Sequence, residues 1–250
     1  MIERQDHEGI RVLCLAHGKV SAMDIELAEA LIAELKAAAD ASVRAVVVTG
    51  TGSSFSAGVD LFRLIKGGPA YGQRFLPVLD TMLRDALTFP KPLVAAVNGH
   101  AIAGGCILAA TCDRRIMAEG NGRIGVPELV VGVPFPALPL QIMAARMTDA
   151  AFRDVVLTGR TVHVDEALAL GLIDERCPAD ALLDRALAVA RQLAAIPADV
   201  FALTKEAFTT PVLERTARLG DLNARVVEAW LQPQTYDTIR AYLERTVGRK

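Results

Sequence analysis

Few residues in this chain have the type and spacing to do chemistry. The histidines His7, His17, His100 and His163 are scattered, and none lies four residues from another. Cys14, Cys106, Cys112 and Cys177 form no CxxC pair, so no metal-ligand spacing occurs and no metal is expected. There is no GxSxG nucleophile elbow and no GxxxxGK[ST] phosphate loop, and Gly50-Thr51-Gly52 lacks the third glycine of a dinucleotide fingerprint. His100 follows a turn and reads as a hydrogen-bonded structural histidine ahead of a catalytic base.

What remains is two glycine turns and one carboxylate. Phe55-Ser56-Ala57-Gly58-Val59-Asp60-Leu61 and Gly99-His100-Ala101-Ile102-Ala103-Gly104-Gly105 each pass from extended chain through small residues into a helix. Small residues let a ligand approach the backbone, and free N–H groups at a helix start favour negative charge. Two such turns side by side could offer two donors to one oxygen, an oxyanion hole; tight helix packing is the competing reading. Glu128 is the only acid between Glu119 and Asp149, and its neighbours are Val126, Pro127, Leu129 and Val130. A carboxylate there loses hydration, which raises its pKa toward the range of a useful base. Alternatively it is a helix N-terminal acid after Pro127, or a buried partner of an arginine such as Arg123.

These groups have to be positioned by an α/β framework. The spacing predicts strands over Ile10–Leu15, Val43–Thr49, Leu93–Val97, Arg115–Ala118 and Gly122–Gly125. Helices alternate with them: one capped by Ser21 or Asp24 and running to about Ala39, one over Tyr71–Thr88 after a Lys66–Pro69 loop, and one opening near Gly104. Such alternation indicates a largely parallel sheet. After about Phe135 the pattern is helical, with helices over Pro136–Ala145, Ala150–Leu157, Asp165–Ala169, Asp180–Ala195, Ala198–Phe208, Leu213–Leu231 and Pro233–Thr246.

Composition narrows the class. The chain has 250 residues, 52% apolar and 22% charged, with a net charge of −2. That excludes disordered, collagenous and disulfide-scaffold classes, and no basic surplus points to nucleic acid. The run from Pro92 to Cys112 carries no charge and is 21 residues long, enough to span a bilayer. Asn98-Gly99-His100 and Gly104-Gly105 interrupt it, so it reads as a buried strand and the start of a helix. The N-terminus shows no apolar signal segment, and unpaired cysteines fit a reducing, cytoplasmic setting.

Taken together, these segments resemble the enoyl-CoA hydratase/isomerase (crotonase) family. The resemblance rests on Phe55–Leu61, Lys91-Pro92-Leu93-Val94-Ala95-Ala96-Val97-Asn98-Gly99, Ala103-Gly104-Gly105-Cys106, Cys112-Asp113 and Pro127-Glu128. It continues through Ala167–Asp174 and Leu203-Thr204-Lys205, and covers roughly residues 5 to 245. Each motif is loose alone; their order and spacing are specific. The resemblance implies an α/β spiral of ββα units over 1–195, then a helical region over 196–250 that builds trimers or paired trimers. It implies acyl-CoA thioester substrates, with coenzyme A arriving as part of the substrate and no separate cofactor.

Carried over by motif, the backbone N–H groups of Ala57 and Gly104 would hold the thioester oxygen. Ser56, Gly58, Asp60 and Leu61 would surround it, although Asp60 itself reads as structural. Ile107, Val126, Phe135 and Pro136 are candidate walls for the acyl chain, with core packing as the alternative. Tyr242 and Arg245 resemble adenine-side positions reached across a subunit interface. Hydratases of the family carry one glutamate at the position of Ile107 and a second at Glu128. Isoleucine cannot hold or activate water, whereas Glu128 alone suffices for a 1,3 proton shift. The segment Ala103–Leu108 therefore looks like the Δ3-Δ2-enoyl-CoA isomerases. The residue eight after Glu128 is Pro136, not the acid expected of a dienoyl-CoA isomerase. Ala103 replaces the first glycine of the common triple-glycine turn. A divergent hydratase and a catalytically silent scaffold are the other readings.

Overall fold

The structure is a computed structural model and describes residues 1–246. Two sheets carry the architecture. The larger has six strands in the order β1 (Ile2–His7), β2 (Ile10–Leu15), β3 (Ala45–Gly50), β5 (Leu93–Val97), β7 (Arg114–Ala118) and β10 (Glu175–Cys177). The smaller has four, in the order β4 (Ser54–Ser56), β6 (His100–Ile102), β8 (Ile124–Gly125) and β9 (Thr161–Val162). Only β1–β2 and β8–β9 pair antiparallel. Parallel strands are covered on both faces and read as unbroken apolar runs, which is why all five residues of β5 are buried.

Consecutive segments repeat one plan. β3, β4 and helix α2 (Leu61–Leu87) form one ββα unit. β5, β6 and α3 (Gly104–Thr111) form the next, and β7, β8 and α4 (Glu128–Val131) the third. Each unit adds one strand to each sheet, so the three strand-to-helix turns stack beside one another. Asn98 ties the first two units at their strand-to-strand turns: its Oδ1 accepts from Gly50 N at 2.9 Å, and its Nδ2 donates to Gly52 O at 3.1 Å. The charge-free run from Pro92 to Cys112 becomes β5, β6 and α3, all inside this spiral. No single helix among the described residues is long and apolar enough to cross a membrane.

The remaining helices are α1 (Ile25–Ala37), α5 (Ala137–Ala144), α6 (Asp149–Thr158), α7 (Val164–Leu170), α8 (Leu182–Ala194), α9 (Ala198–Arg218), α10 (Gly220–Leu231) and α11 (Pro233–Thr246). Asp24 caps α1, accepting from Leu27 N at 2.8 Å. The helix entered near Asp60 and the one expected over Tyr71–Thr88 meet end to end as α2, with the expected loop reduced to a kink at Gly68 (φ 63°, ψ −165°). The break expected between Phe208 and Leu213 is absent: α9 runs through Pro211, with Val212 buried, and ends at Arg218. Strands β1, β9 and β10 were not expected. α9 leaves Val200, Leu203 and Phe208 exposed to solvent. The last residues of the 196–250 region, 247–250, lie outside the described residues.

The two glycine turns meet at a close backbone approach. Gly58 has φ +76°, and a Cβ there would lie 2.5 Å from Ile102 O and 2.8 Å from Ala103 Cβ. Ala103 caps α3 at φ 52° and ψ −122°, a region open to glycine and strained for any L side chain. Its N–H donates to Gly125 O at 2.8 Å, holding it in place. Ala103→Gly should therefore stabilise the fold by about 1 kcal/mol, seen as a rise in Tm of about 2–4 °C for a chain of this size. Gly58→Ala should lower Tm, because both the backbone angle and the contact forbid it.

Candidate active site

A cavity of about 100 Å³ opens where the three turns converge. The turn into α2 supplies Ala57, Val59 and Leu61, the turn into α3 supplies Ile102, Ala103, Gly104 and Ile107, and Pro127-Glu128 enters from the start of α4. Leu76, Leu79 and Leu83 of α2 form one wall, Val131, Val133, Pro136 and Pro139 another. Trp230 and Tyr242, from α10 and α11, close the far side. Glu128 is the only acid among the described residues that line it.

Two backbone donors face this space unengaged. The extended chain at Gly58-Val59-Asp60 pairs with Met23 through Met23 N to Gly58 O (2.7 Å) and Asp60 N to Met23 O (2.9 Å). That pairing leaves the Val59 N–H between them without a partner among the described residues. Gly104 N is the first amide of α3 and has no partner either, as expected of a helix N-terminus. The two residues approach closely: a Cβ on Gly104 would lie 3.7 Å from Val59 N. The Ala57 N–H, expected to be a donor of this pair, is instead engaged with Val20 O at 3.0 Å. The donor position thus shifts from Ala57 to Val59.

Glu128 is buried, with only 7% of its surface exposed, and its Oε2 has no hydrogen-bond partner. Burial pushes its pKa up to about 8, opposed only by its own backbone N–H. No cation offsets this. Arg123, considered above as a partner, donates to Thr161 Oγ1 at 2.9 Å and to the Thr161 carbonyl, and its Nη1 lies 2.9 Å from His163 Nε2. Burial, and secondarily the nearby Glu128 charge, also raises the Cys106 thiol.

The other expected residues divide. Ala57, Leu61, Gly104, Ile107, Pro136 and Tyr242 line the cavity with Glu128. Ser56 does not: it is fully buried, its Oγ donating to Ser21 O at 2.7 Å and accepting from Gly58 N at 3.2 Å. Gly58 makes the backbone contact described above and does not line the space. Asp60 caps α2, accepting from Arg63 N at 2.9 Å. Val126 and Phe135 belong to the core behind the site. His100 accepts from Arg123 N at 3.2 Å, the structural reading.

Tyr242 was expected across a subunit interface; here α11 folds back onto its own chain, with Thr238 against Gly132 and Tyr236 against Gly72. Tyr242 therefore meets the apolar end of the same cavity. Arg245 stands off it, its guanidinium 5.9 Å from the Tyr242 ring centroid. Val59, the α2 leucines and Trp230 were not anticipated. The 76, 79, 83 spacing on one helix face was their available signal.

Known proteins match this arrangement. The family model for enoyl-CoA hydratase/isomerase matches residues 5–248. Rat mitochondrial enoyl-CoA delta isomerase 1 is 28% identical over 255 residues, covering 100% of this chain and 88% of its own. The 2,3-dehydroadipyl-CoA hydratase of Escherichia coli is 35% identical over 176 residues, covering 70% of this chain and 68% of its own. The crystal structure of human mitochondrial delta3-delta2-enoyl-CoA isomerase superposes with a TM-score of 0.94 at 25% identity, covering 100% of this chain and 99% of that one. The fold is thus shared, and the chain belongs to the enoyl-CoA hydratase/isomerase family.

Proposed function

We propose that this chain moves the double bond of a 3-enoyl-CoA to the 2-position. The carrying observation is that Glu128 is the lone acid among the described residues lining the cavity, while Ile107, only 4% exposed, lines it too. Adding water across a double bond needs groups that hold water, activate it and deliver a proton to C2. One carboxylate among apolar walls is suited to moving a proton instead.

The geometry supports the following course of reaction. The thioester oxygen accepts from Val59 N–H and Gly104 N–H. Glu128, ionised, removes a proton from C2; the C2–H electron pair becomes the dienolate, its charge carried on the thioester oxygen. Each fixed donor aimed at such charge contributes about 3–4 kcal/mol to the transition state. The carboxyl of Glu128 then returns the proton at C4, which leaves the double bond between C2 and C3 and restores the carboxylate. Ile107 and the leucines of α2 keep water from the dienolate.

Turnover of 3-hexenoyl-CoA with negligible hydration of crotonyl-CoA, followed by ultraviolet absorbance, is the expected result. Efficient hydration of crotonyl-CoA would assign the chain to the hydratases. Glu128→Gln should cost at least about 100-fold in kcat, the low end for loss of a general base, with substrate affinity little changed.

The raised pKa sets two pH dependences. The base must be ionised, so kcat/KM should climb with pH and level off above about 8. Stability runs the other way. The folded protein keeps this proton between the ordinary value of 4.5 and about 8, where the unfolded chain loses it. Folding stability contributed by the neutral carboxyl is therefore complete below 4.5 and is lost as pH rises through 8. Glu128→Gln should melt above the native protein at pH 8.5, and the gap should shrink at pH 5.5, as measured by thermal denaturation.

A further inference from the structure

Helix α3 joins the candidate site to the opposite side of the fold. It spans eight residues, all of them buried and none of them charged. Its first amide, Gly104 N–H, is one of the two unengaged donors at the site. Aligned peptide dipoles place about half a positive charge at that end and about half a negative charge at the other. Both ends lie out of water, so the negative end needs a partner from within the protein.

Arg146 supplies it. This residue follows α5 and is set by its own N–H, which donates to Met143 O at 3.1 Å. Its Nε donates to Ala110 O at 2.7 Å, and its Nη2 to Cys112 O at 2.9 Å and to Thr111 O at 3.4 Å. The two carbonyls before these are met locally. Thr111 Oγ1 donates to Leu108 O at 2.7 Å, and Cys112 N to Ala109 O at 3.1 Å. Arg146 thus gathers the last carbonyls of α3 onto one guanidinium.

This cation lacks the usual counter-charge. Its acceptors are backbone carbonyls alone, and it forms no ion pair among the described residues. The nearby carboxylates are committed elsewhere: Asp113 pairs with Lys205 at 2.8 Å and Asp174 with Arg115 at 2.7 Å. Burial, and secondarily the Arg115 charge, lowers the Arg146 pKa. The positive charge is therefore held against an unfavourable environment, with the end of α3 as its partner.

We infer that Arg146 is a positioning residue for the reaction, acting through α3 to strengthen the hold of Gly104 N–H on the thioester oxygen as negative charge gathers there. Two effects act together. The guanidinium fixes the last turn, and with it the axis along which Gly104 N–H points. Its charge also adds to the positive potential at the first turn, roughly 12 Å away along eight residues. At an effective dielectric of about 20, a full charge at that distance changes a rate by about five- to ten-fold. The inference rests on the Val59 and Gly104 oxyanion reading and extends it to the far end of α3.

Variants that separate charge from hydrogen bonding test this. Arg146→Gln keeps an N–H donor without the charge, and Arg146→Lys keeps the charge. With 3-hexenoyl-CoA, Arg146→Gln should lower kcat about five- to ten-fold and leave hexanoyl-CoA affinity unchanged, whereas Arg146→Lys should recover most of kcat. A second readout needs no turnover. 2,4-Hexadienoyl-CoA bound to Glu128→Gln should absorb at longer wavelength than when free, because the two donors draw charge onto its thioester oxygen. Adding Arg146→Gln should shrink that shift, and adding Arg146→Lys should keep it. A Gln variant that melts lower yet retains native kcat and the full shift would assign Arg146 to the fold alone and overturn the inference. So would a Lys variant as impaired as Gln, or failure of both Arg146→Gln and Arg146→Met to fold. No shift in Glu128→Gln with Arg146 intact would overturn the oxyanion reading itself.

Discussion

The structure turns on one unpaired carboxylate held out of water. A buried charge without a partner is among the costliest features a fold can carry, and Glu128 answers that cost by keeping its proton near neutral pH. Everything around it enforces the condition. Arg123 is tied to Thr161 and lies beside His163, Ile107 adds an apolar side chain to the lining, and the walls are leucine, valine and proline. A group held in this way gives up its proton and takes it back at similar cost, which is what a base that must also act as an acid requires.

The second constraint is the packing of two strand-to-helix turns against one another. Their contact is backbone on backbone at Gly58 and Ile102, and at Gly105, where a Cβ would lie 2.4 Å from Ser56 O. Such proximity brings two amides to one point, and Asn98 together with the Met23 pairing holds them there. Ala103 tolerates a glycine-like conformation at this place because β8 and Gly58 fix it from both sides. Strain at a functional turn is sustained by the structure around it. The Val59 and Gly104 amides and the Glu128 carboxyl thus come from neighbouring repeats of a single ββα plan.

Local pattern explains which parts of this were readable. β5 is legible because a parallel strand buried on both faces is a continuous apolar run, and α1 because Asp24 precedes a regular leucine spacing. Glu128 stands out because its neighbours carry no charge. β9 and β10, at two and three residues, are too short to show a period and exist only through their partners β8 and β7. The choice between Ala57 and Val59 as donor depends on Val20 and Met23, more than thirty residues away, and no local feature marks it. Pro211 signals a helix end, yet α9 continues, since burial of Val212 offsets the lost hydrogen bond. Likewise the role of α10 and α11 in closing the site follows from their return onto α2 and α4, a tertiary fact.

Burial without a partner should keep Glu128 neutral at neutral pH. Infrared difference spectroscopy of the protonated carboxyl stretch, with Glu128→Gln as the reference, measures this directly. The expected result is a neutral-carboxyl band that belongs to Glu128 and disappears with a midpoint near pH 8. A midpoint near 4.5, the ordinary value for a glutamate, would show a solvated or paired carboxylate and contradict it.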